Sequence, residues 1–352
     1  MKPDRLNAQL LFRLVFLVLT AVFLFFPDFV LAGEDGTRTL TDMAGRRVVI
    51  KDPVNRIVTT FKPATLSVFS LGLAHKLVGV DTSSRQDPLH LAVFPGIAHV
   101  AGVGTKSMGI NFETLVSLKP DLVILYSQKE GIFLADRLAG MNIPSIIILP
   151  ETFETIKQTL RVIAEAAGDP GKSLHVEKEM DRVTDLVAQR VGSLDEKERK
   201  TGYFASALGL FSTTTAHMIQ HEIFNLAGLK NVSGRLTGYF QDISPEQLVQ
   251  WNPDIMVLSQ YLKKGETERL SDKALQEVQA VSKKAVYRCP SSLDPWDYPS
   301  PLSVLASLWV AQKAYPERFS DIEMKDKADE FYQNLFGKTM SEMGGILNGR
   351  LD

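Results

Sequence analysis

The chain has 352 residues, 45% hydrophobic and 23% charged, which excludes global disorder and collagen-like order. With 39 Lys and Arg against 41 Asp and Glu, the formal charge of −2 gives no footing for a nucleic-acid binder that works by bulk charge. The single cysteine, Cys289, excludes an intramolecular disulfide and a multi-cysteine zinc or iron–sulfur site. Residues 1–32 read as an export signal. Lys2, Arg5 and Arg13 precede an apolar run from Leu14 to Phe26, then Pro27 and a small-residue exit at Val30-Leu31-Ala32. The run is short of the roughly 20 residues that span a bilayer, so cleavage is favoured over a retained anchor. A periplasmic location follows.

Strands are expected at 56–61, 76–80, 121–127 and 145–150, alternating with helices from Pro63 to Leu71 and around Leu134–Met141. Near-continuous Val, Ile and Leu in strands that alternate with helices indicates a parallel sheet covered on both faces. From Pro170 to about Leu194 one long helix buries Val176, Met180, Val183, Val187 and Val191 along a single stripe. About 24 residues would span roughly 36 Å. A second series follows: strands at 201–208, 254–260 and 284–290, a helix from His217 to Leu226, and a helical tail from Pro301 to Phe336.

Asn111 to Leu125 reads NFETLVSLKPDLVIL, and Ser244 to Leu258 reads SPEQLVQWNPDIMVL. Glu, Leu, Val, Pro, Asp and Leu recur 133 residues apart. In each copy Asn111 or Ser244 caps a short helix, and Glu113 or Glu246 sits in its first turn, where the dipole favours a carboxylate. Pro120 or Pro253 then ends the helix before a buried strand. The expected organisation is therefore a signal segment 1–32, an α/β lobe 33–169, a linking helix 170–195 and a second α/β lobe 196–352 with the helical tail. The two parallel-sheet lobes would enclose a cleft.

Taken in order, RTLTDMAGRRVVIKDPVNRIVTT (38–60), NFETLVSLKPDLVI (111–124), the long helix, IFNLAGLKNVSG (223–234) and ISPEQLVQWNPDIMVL (243–258) resemble the periplasmic substrate-binding proteins of ATP-driven importers for iron complexes and vitamin B12. The resemblance implies two lobes joined by one rigid helix, ligand in the cleft, small closure, and a permease with its ATPase as partner. It also implies that Glu113 and Glu246 meet arginines on the permease. Two exposed carboxylates related by a pseudo-twofold suit a symmetric basic partner. The plainer role, complementing each helix dipole, is compatible with that. The implied protein is a monomer with no cofactor and no catalytic residues.

Other motifs carry less. Gly102-Val103-Gly104 lacks the third glycine of a dinucleotide loop, and Gly171-Lys172-Ser173 lacks the leading glycine of a phosphate loop. His217 and His221, four apart on the expected helix, could share a metal. The glutamate of a metalloprotease motif is Met218 instead, so no metal site is assigned. The hydroxyl run Ser212–Thr215 ahead of that helix makes Thr214, Thr215 and His217 candidates for an anionic ligand. The loop 291–301, SSLDPWDYPSP, presents Trp296 and Tyr298 beside Asp294 and Asp297, stiffened by prolines. Open α/β sheets bind ligands beyond their carboxyl strand ends. This nominates Thr60, Phe61, Lys62, Ser127, Gln128, Glu151 and Thr152, with Tyr239 and Gln260 in the second lobe. The expected cargo is an iron chelate of siderophore type, with a corrinoid, haem or a molybdate-like oxyanion as alternatives.

Overall fold

Both copies of the duplicated unit form a capped helix, a turn and a buried strand in the computed structural model, which describes residues 36–105, 109–127 and 129–347. The leader 1–32 and Gln128 lie outside the described residues. An antiparallel hairpin, β1 (Thr37–Thr41) and β2 (Arg47–Lys51), opens the chain. There follow β3 (Ile57–Thr59), β4 (Leu77–Val80), β5 (Ala101–Gly102), a small pair β6 (Gly104–Thr105) and β7 (Gly109–Ile110), β8 (Leu122–Tyr126) and β9 (Ser145–Ile148). The first sheet runs β5-β4-β3-β8-β9, with every neighbouring pair parallel. Its helices are α1 (Lys62–Ser70), α2 (Pro88–Val93), α3 (Phe112–Ser117), α4 (Lys129–Ala139) and α5 (Phe153–Ala166).

After α6 (Lys172–Val191) the second sheet takes β10 (Thr201–Ala205), β11 (Ser212–Thr214), β12 (Lys230–Asn231), β13 (Phe240–Asp242), β14 (Ile255–Leu258) and β15 (Val286–Arg288). Its helices are α7 (Ile219–Leu226), α8 (Pro245–Trp251), α9 (Lys264–Glu268), α10 (Gln279–Ser282), α11 (Ser303–Ala314) and α12 (Met324–Phe336). Strands β12, β14 and β15 continue the parallel pattern from β10. One side of this sheet is antiparallel: β11 runs against β10, and β13 against β11. The hydroxyl run at 212–214 is thus a strand inside the sheet rather than the approach to a helix. Its β-branched threonines suit a pleated surface.

The duplication extends to hydrogen bonds. Asn111 Oδ1 accepts from the Thr114 N–H at 2.9 Å, and Ser244 Oγ from the Gln247 N–H at 3.2 Å. Lys119 and Asn252, each just before the proline, are both left-handed, at φ 48° and 43°. Asp121 Oδ2 then accepts the Asn55 and Arg56 N–H groups at 2.8 and 2.9 Å. Asp254 Oδ2 likewise accepts from Thr201 N and Oγ1, both at 2.8 Å. In each lobe, then, the repeated aspartate clasps the start of the sheet's central strand.

Helix α6 is 20 residues long, about 30 Å, and buries Val176, Met180, Val183, Val187 and Val191 as the stripe requires. It packs on α5 and on α11 and α12. One apolar cluster runs from the first sheet through α6 to Leu308 and Trp309 of α11. The tail assigned on sequence to the second lobe also touches the first: α12 packs on α1, and Lys338 Nζ donates to the Ala92 carbonyl at 2.9 Å. Among the described residues no helix is long and apolar enough to cross a membrane.

Asp254→Ala strips the Thr201 N–H of its partner. We expect a loss of about 1–3 kcal/mol, read as a lower urea midpoint at unchanged m-value.

Candidate functional site

The carboxyl end of the first sheet's central strand, β3, meets the loops that follow β14 and β15 of the second sheet around one ammonium. Phe61, leaving β3, is the N-cap of α1, and Lys62 is the helix's first residue. A cation at a helix N-terminus is locally unfavourable. Carboxylates offset it: Lys62 Nζ lies 2.6 Å from Asp87 Oδ2 and 2.5 Å from Asp294 Oδ1, and donates to the Tyr261 hydroxyl at 3.0 Å. Asp87 is fixed by its own role as cap of α2, accepting the Leu89 and His90 N–H groups. Asp294 and Tyr261 belong to the second lobe, so the contact bridges the lobes.

Burial disfavours the Lys62 ammonium, but Asp294 and Asp87 outweigh it and hold the lysine charged, its pKa raised. Two carboxylates around one ammonium leave one negative charge in excess. Asp294 bears that excess: burial and the neighbouring Asp87 push it up to about 7 against the pull of Lys62. Burial also raises Asp297 to about 6, despite a hydrogen bond from Ser259.

Aromatic rings surround the charges. Phe61 and Tyr126 stand 4.8 Å apart, and the Tyr126 hydroxyl donates to Glu151. Tyr261 and Tyr298 are 5.7 Å apart, each with its ring centre 5.5 Å from Lys62 Nζ. Arg288, at the end of β15, is held by the Ser259, Gln260 and Leu262 carbonyls and feels the Asp297 charge. Gln260 Oε1 and Asp297 Oδ1 are buried acceptors with no hydrogen-bond partner among the described residues.

Of the residues nominated from sequence, Phe61, Lys62 and Tyr298 are brought together here. Thr60 is buried, and its hydroxyl donates to the Ile124 carbonyl at 3.1 Å, so it fastens the sheet. Ser127 is half-buried at the end of β8, its N–H on the Ile148 carbonyl. Thr152 caps α5. Trp296 is a correction: it is fully buried and donates to the Tyr332 hydroxyl at 3.0 Å, so it fills the core under the loop. Thr214 and Thr215 are buried in and just after β11 rather than displayed at a helix start, and the Thr215 hydroxyl bonds the Gly238 carbonyl.

Helix α7 starts at Ile219, so His217 is exposed ahead of it and shares no helical face with His221. His221 instead faces the Asn231 amide at 3.3 Å. No group of three metal-ligating side chains occurs among the described residues. Tyr239 is 42% exposed. Glu113 and Glu246 are both exposed in the first turns of α3 and α8, and hydrogen bonds from its own N–H and from Ser244 hold Glu246 below its usual value.

Sequence reasoning missed Asp87, Tyr126, Tyr261 and Arg288 as site residues. Asp87 before Pro88 has only the local signature of an N-cap, and Tyr261 lies one residue beyond Gln260.

Residues 57–293 match the family model described as periplasmic binding protein. The molybdate-binding protein MolA of Haemophilus influenzae is 25% identical over 327 residues, 85% of this chain and 91% of that protein. Its structure with molybdate superposes with a TM-score of 0.75, covering 86% of this chain and 98% of the other at 23% identity. A vitamin B12-binding protein of Vibrio parahaemolyticus is 22% identical over 60% of this chain and 72% of its own length. CeuE of Helicobacter pylori in a nickel–histidine complex has a TM-score of 0.75 at 19% identity, over 88% and 98% of the two chains.

A buried aspartate with a raised pKa binds its proton more tightly folded than unfolded. Its support for the fold is present at low pH and is lost as pH climbs from the ordinary value of 3.8 to about 6. Asp297→Asn should therefore gain on the parent protein between pH 4 and pH 8, by up to about 3 kcal/mol. Urea midpoints across that range measure it, and a difference that stays constant with pH contradicts the assignment.

Proposed function

The chain belongs to the periplasmic binding protein family, and on that premise we propose that the Lys62 site holds the small-molecule cargo of the importer it serves. It is an extracytoplasmic substrate-binding protein of an ABC importer, and the family binds solutes rather than converting them. The export leader read in residues 1–32 would deliver it there, and it would work as a monomer, without a cofactor. Cys289 is buried, and burial pushes its thiol up, away from a reactive thiolate.

The observation that carries the cargo assignment is the charge balance around Lys62. Asp87, Asp294, Asp297 and Glu151 outnumber Lys62 and Arg288, and the rings of Phe61, Tyr126, Tyr261 and Tyr298 stand among them. Such a site repels a small dianion and suits a metal complex with a neutral or positive face, stacked on aromatic rings. A ferric chelate of that charge is one such cargo. A second reading, a molybdate-type oxyanion, is favoured by the similarity to MolA. It would draw on Lys62 and Arg288, with Asp294 protonated.

A thermal-shift panel separates the two. A ligand at a hundred times its dissociation constant adds about 2.7 kcal/mol, a shift of several degrees. We expect it from ferric chelates, nickel–histidine, a corrinoid or haem, and not from molybdate. We expect Tyr298→Ala to weaken the active ligand about tenfold or more. A shift from molybdate alone would replace the first reading by the second.

Glu113 and Glu246, exposed on the duplicated helices, would dock each lobe on the permease. Glu113→Ala with Glu246→Ala should cut uptake in the host while leaving ligand affinity intact. Equal loss of both would place the glutamates in ligand binding instead.

A further inference from the structure

The two glutamates are not isolated on their surfaces. Next to Glu113 in α3, the Phe112 ring is covered by the Arg137 guanidinium, 3.7 Å from its centre. Arg137 also lies 5.8 Å from Phe133, which is 62% exposed with Ile132 at its side. In the second lobe the Arg269 guanidinium covers Phe211 at 4.4 Å. The Phe211 carbonyl accepts the Ile243 N–H at 2.8 Å, which sets its backbone beside the residue before Ser244, the cap of the helix that carries Glu246. Leu208 beside it is 70% exposed. A recess of about 190 Å³ opens there, lined by Leu208, Phe211, Ser212, Asp242, Ile243 and Arg269 among others. The buried Ser212 hydroxyl has no partner among the described residues.

Each glutamate thus lies within three residues of a position at an arginine-covered ring: Glu113 follows Phe112, and Ile243, three residues before Glu246, lines the recess with Phe211 and Leu208. Inheritance of the repeat does not explain the rings: 133 residues beyond Phe112 is Pro245, whereas Phe211 comes from the approach to β11. The same trio is reached from different elements. A lone exposed apolar residue needs no explanation, but two such clusters beside two related carboxylates do.

We propose that each lobe presents a composite docking patch of carboxylate, arginine-covered ring and apolar knob. The partner is the membrane permease, meeting each patch with a basic side chain for the glutamate and an apolar side chain on the ring. Charge supports that choice over a second copy of this chain. The recess is lined by Asp242 and Glu266 against Arg269, and Glu246 is exposed three residues beyond its Ile243, so acid is in excess there, which repels a second copy and attracts a basic partner. The ring and its neighbours would supply the desolvated centre of the contact, and the glutamates its orientation.

The proposal rests on the docking role of Glu113 and Glu246, and the test keeps the two apart. A photo-crosslinking phenylalanine analogue is placed at Phe133, at Leu208 and, as a control, at the exposed Leu174 of α6, in the full-length protein in host cells. We expect both patch positions, and not position 174, to cross-link to a membrane protein with several spans. Paired Phe133→Ser and Leu208→Ser should lower uptake about tenfold at unchanged ligand affinity and unchanged melting temperature. Cross-links only to soluble proteins or to a second copy, or full uptake by the serine pair where the glutamate pair is impaired, overturn the composite patch alone. Full uptake by the glutamate pair overturns the docking role itself.

Discussion

A lysine ammonium enclosed by carboxylates from both lobes sets how the strand ends of the two lobes meet. Lys62 starts a helix of the first lobe and is bound by Asp87 of that lobe and Asp294 of the second. Burying such a group costs several kcal/mol in lost hydration, and the paired carboxylates return roughly that amount. The net contribution to stability is therefore small, while the demand on position is strict. An ammonium away from these partners would leave buried charge uncompensated, so the two strand-end clusters are held in register.

The rest of the fold supplies a frame rigid enough for that register to matter. Helix α6 carries its apolar stripe into a cluster shared with both lobes, and α12 closes over the first lobe from the second. Large rotation of one lobe against the other would expose part of this shared core, at a cost proportional to the apolar area uncovered.

Duplication organises the exposed side of each lobe. The repeated aspartates Asp121 and Asp254 clasp the central strands and so fix the helices that display Glu113 and Glu246. Carboxylates mounted on short, capped helices keep their positions without needing a partner. The same first-turn placement that helps each helix leaves the charge facing solvent. One first-turn carboxylate on each lobe thus serves its helix while remaining exposed.

The sequence by itself determined the parts governed by local periodicity. The parallel strands, the buried stripe of α6, the capped helix–proline–strand repeat and the strand-end placement of Phe61 and Lys62 all follow from spacing of apolar residues and from capping chemistry, which act over a few residues. Only the tertiary structure decided what depends on partners far along the chain. It put β11 and β13 antiparallel at the side of the second sheet, because hydroxyl-rich residues read equally well as a helix approach or a strand. It buried Trp296 against Tyr332 and left Tyr298 of the same loop half-buried against Tyr261, a choice set by which ring the core has room for. It joined Asp87, Tyr261 and Asp294 to Lys62, since charges 25 to 232 residues apart leave no local signature of the site they form.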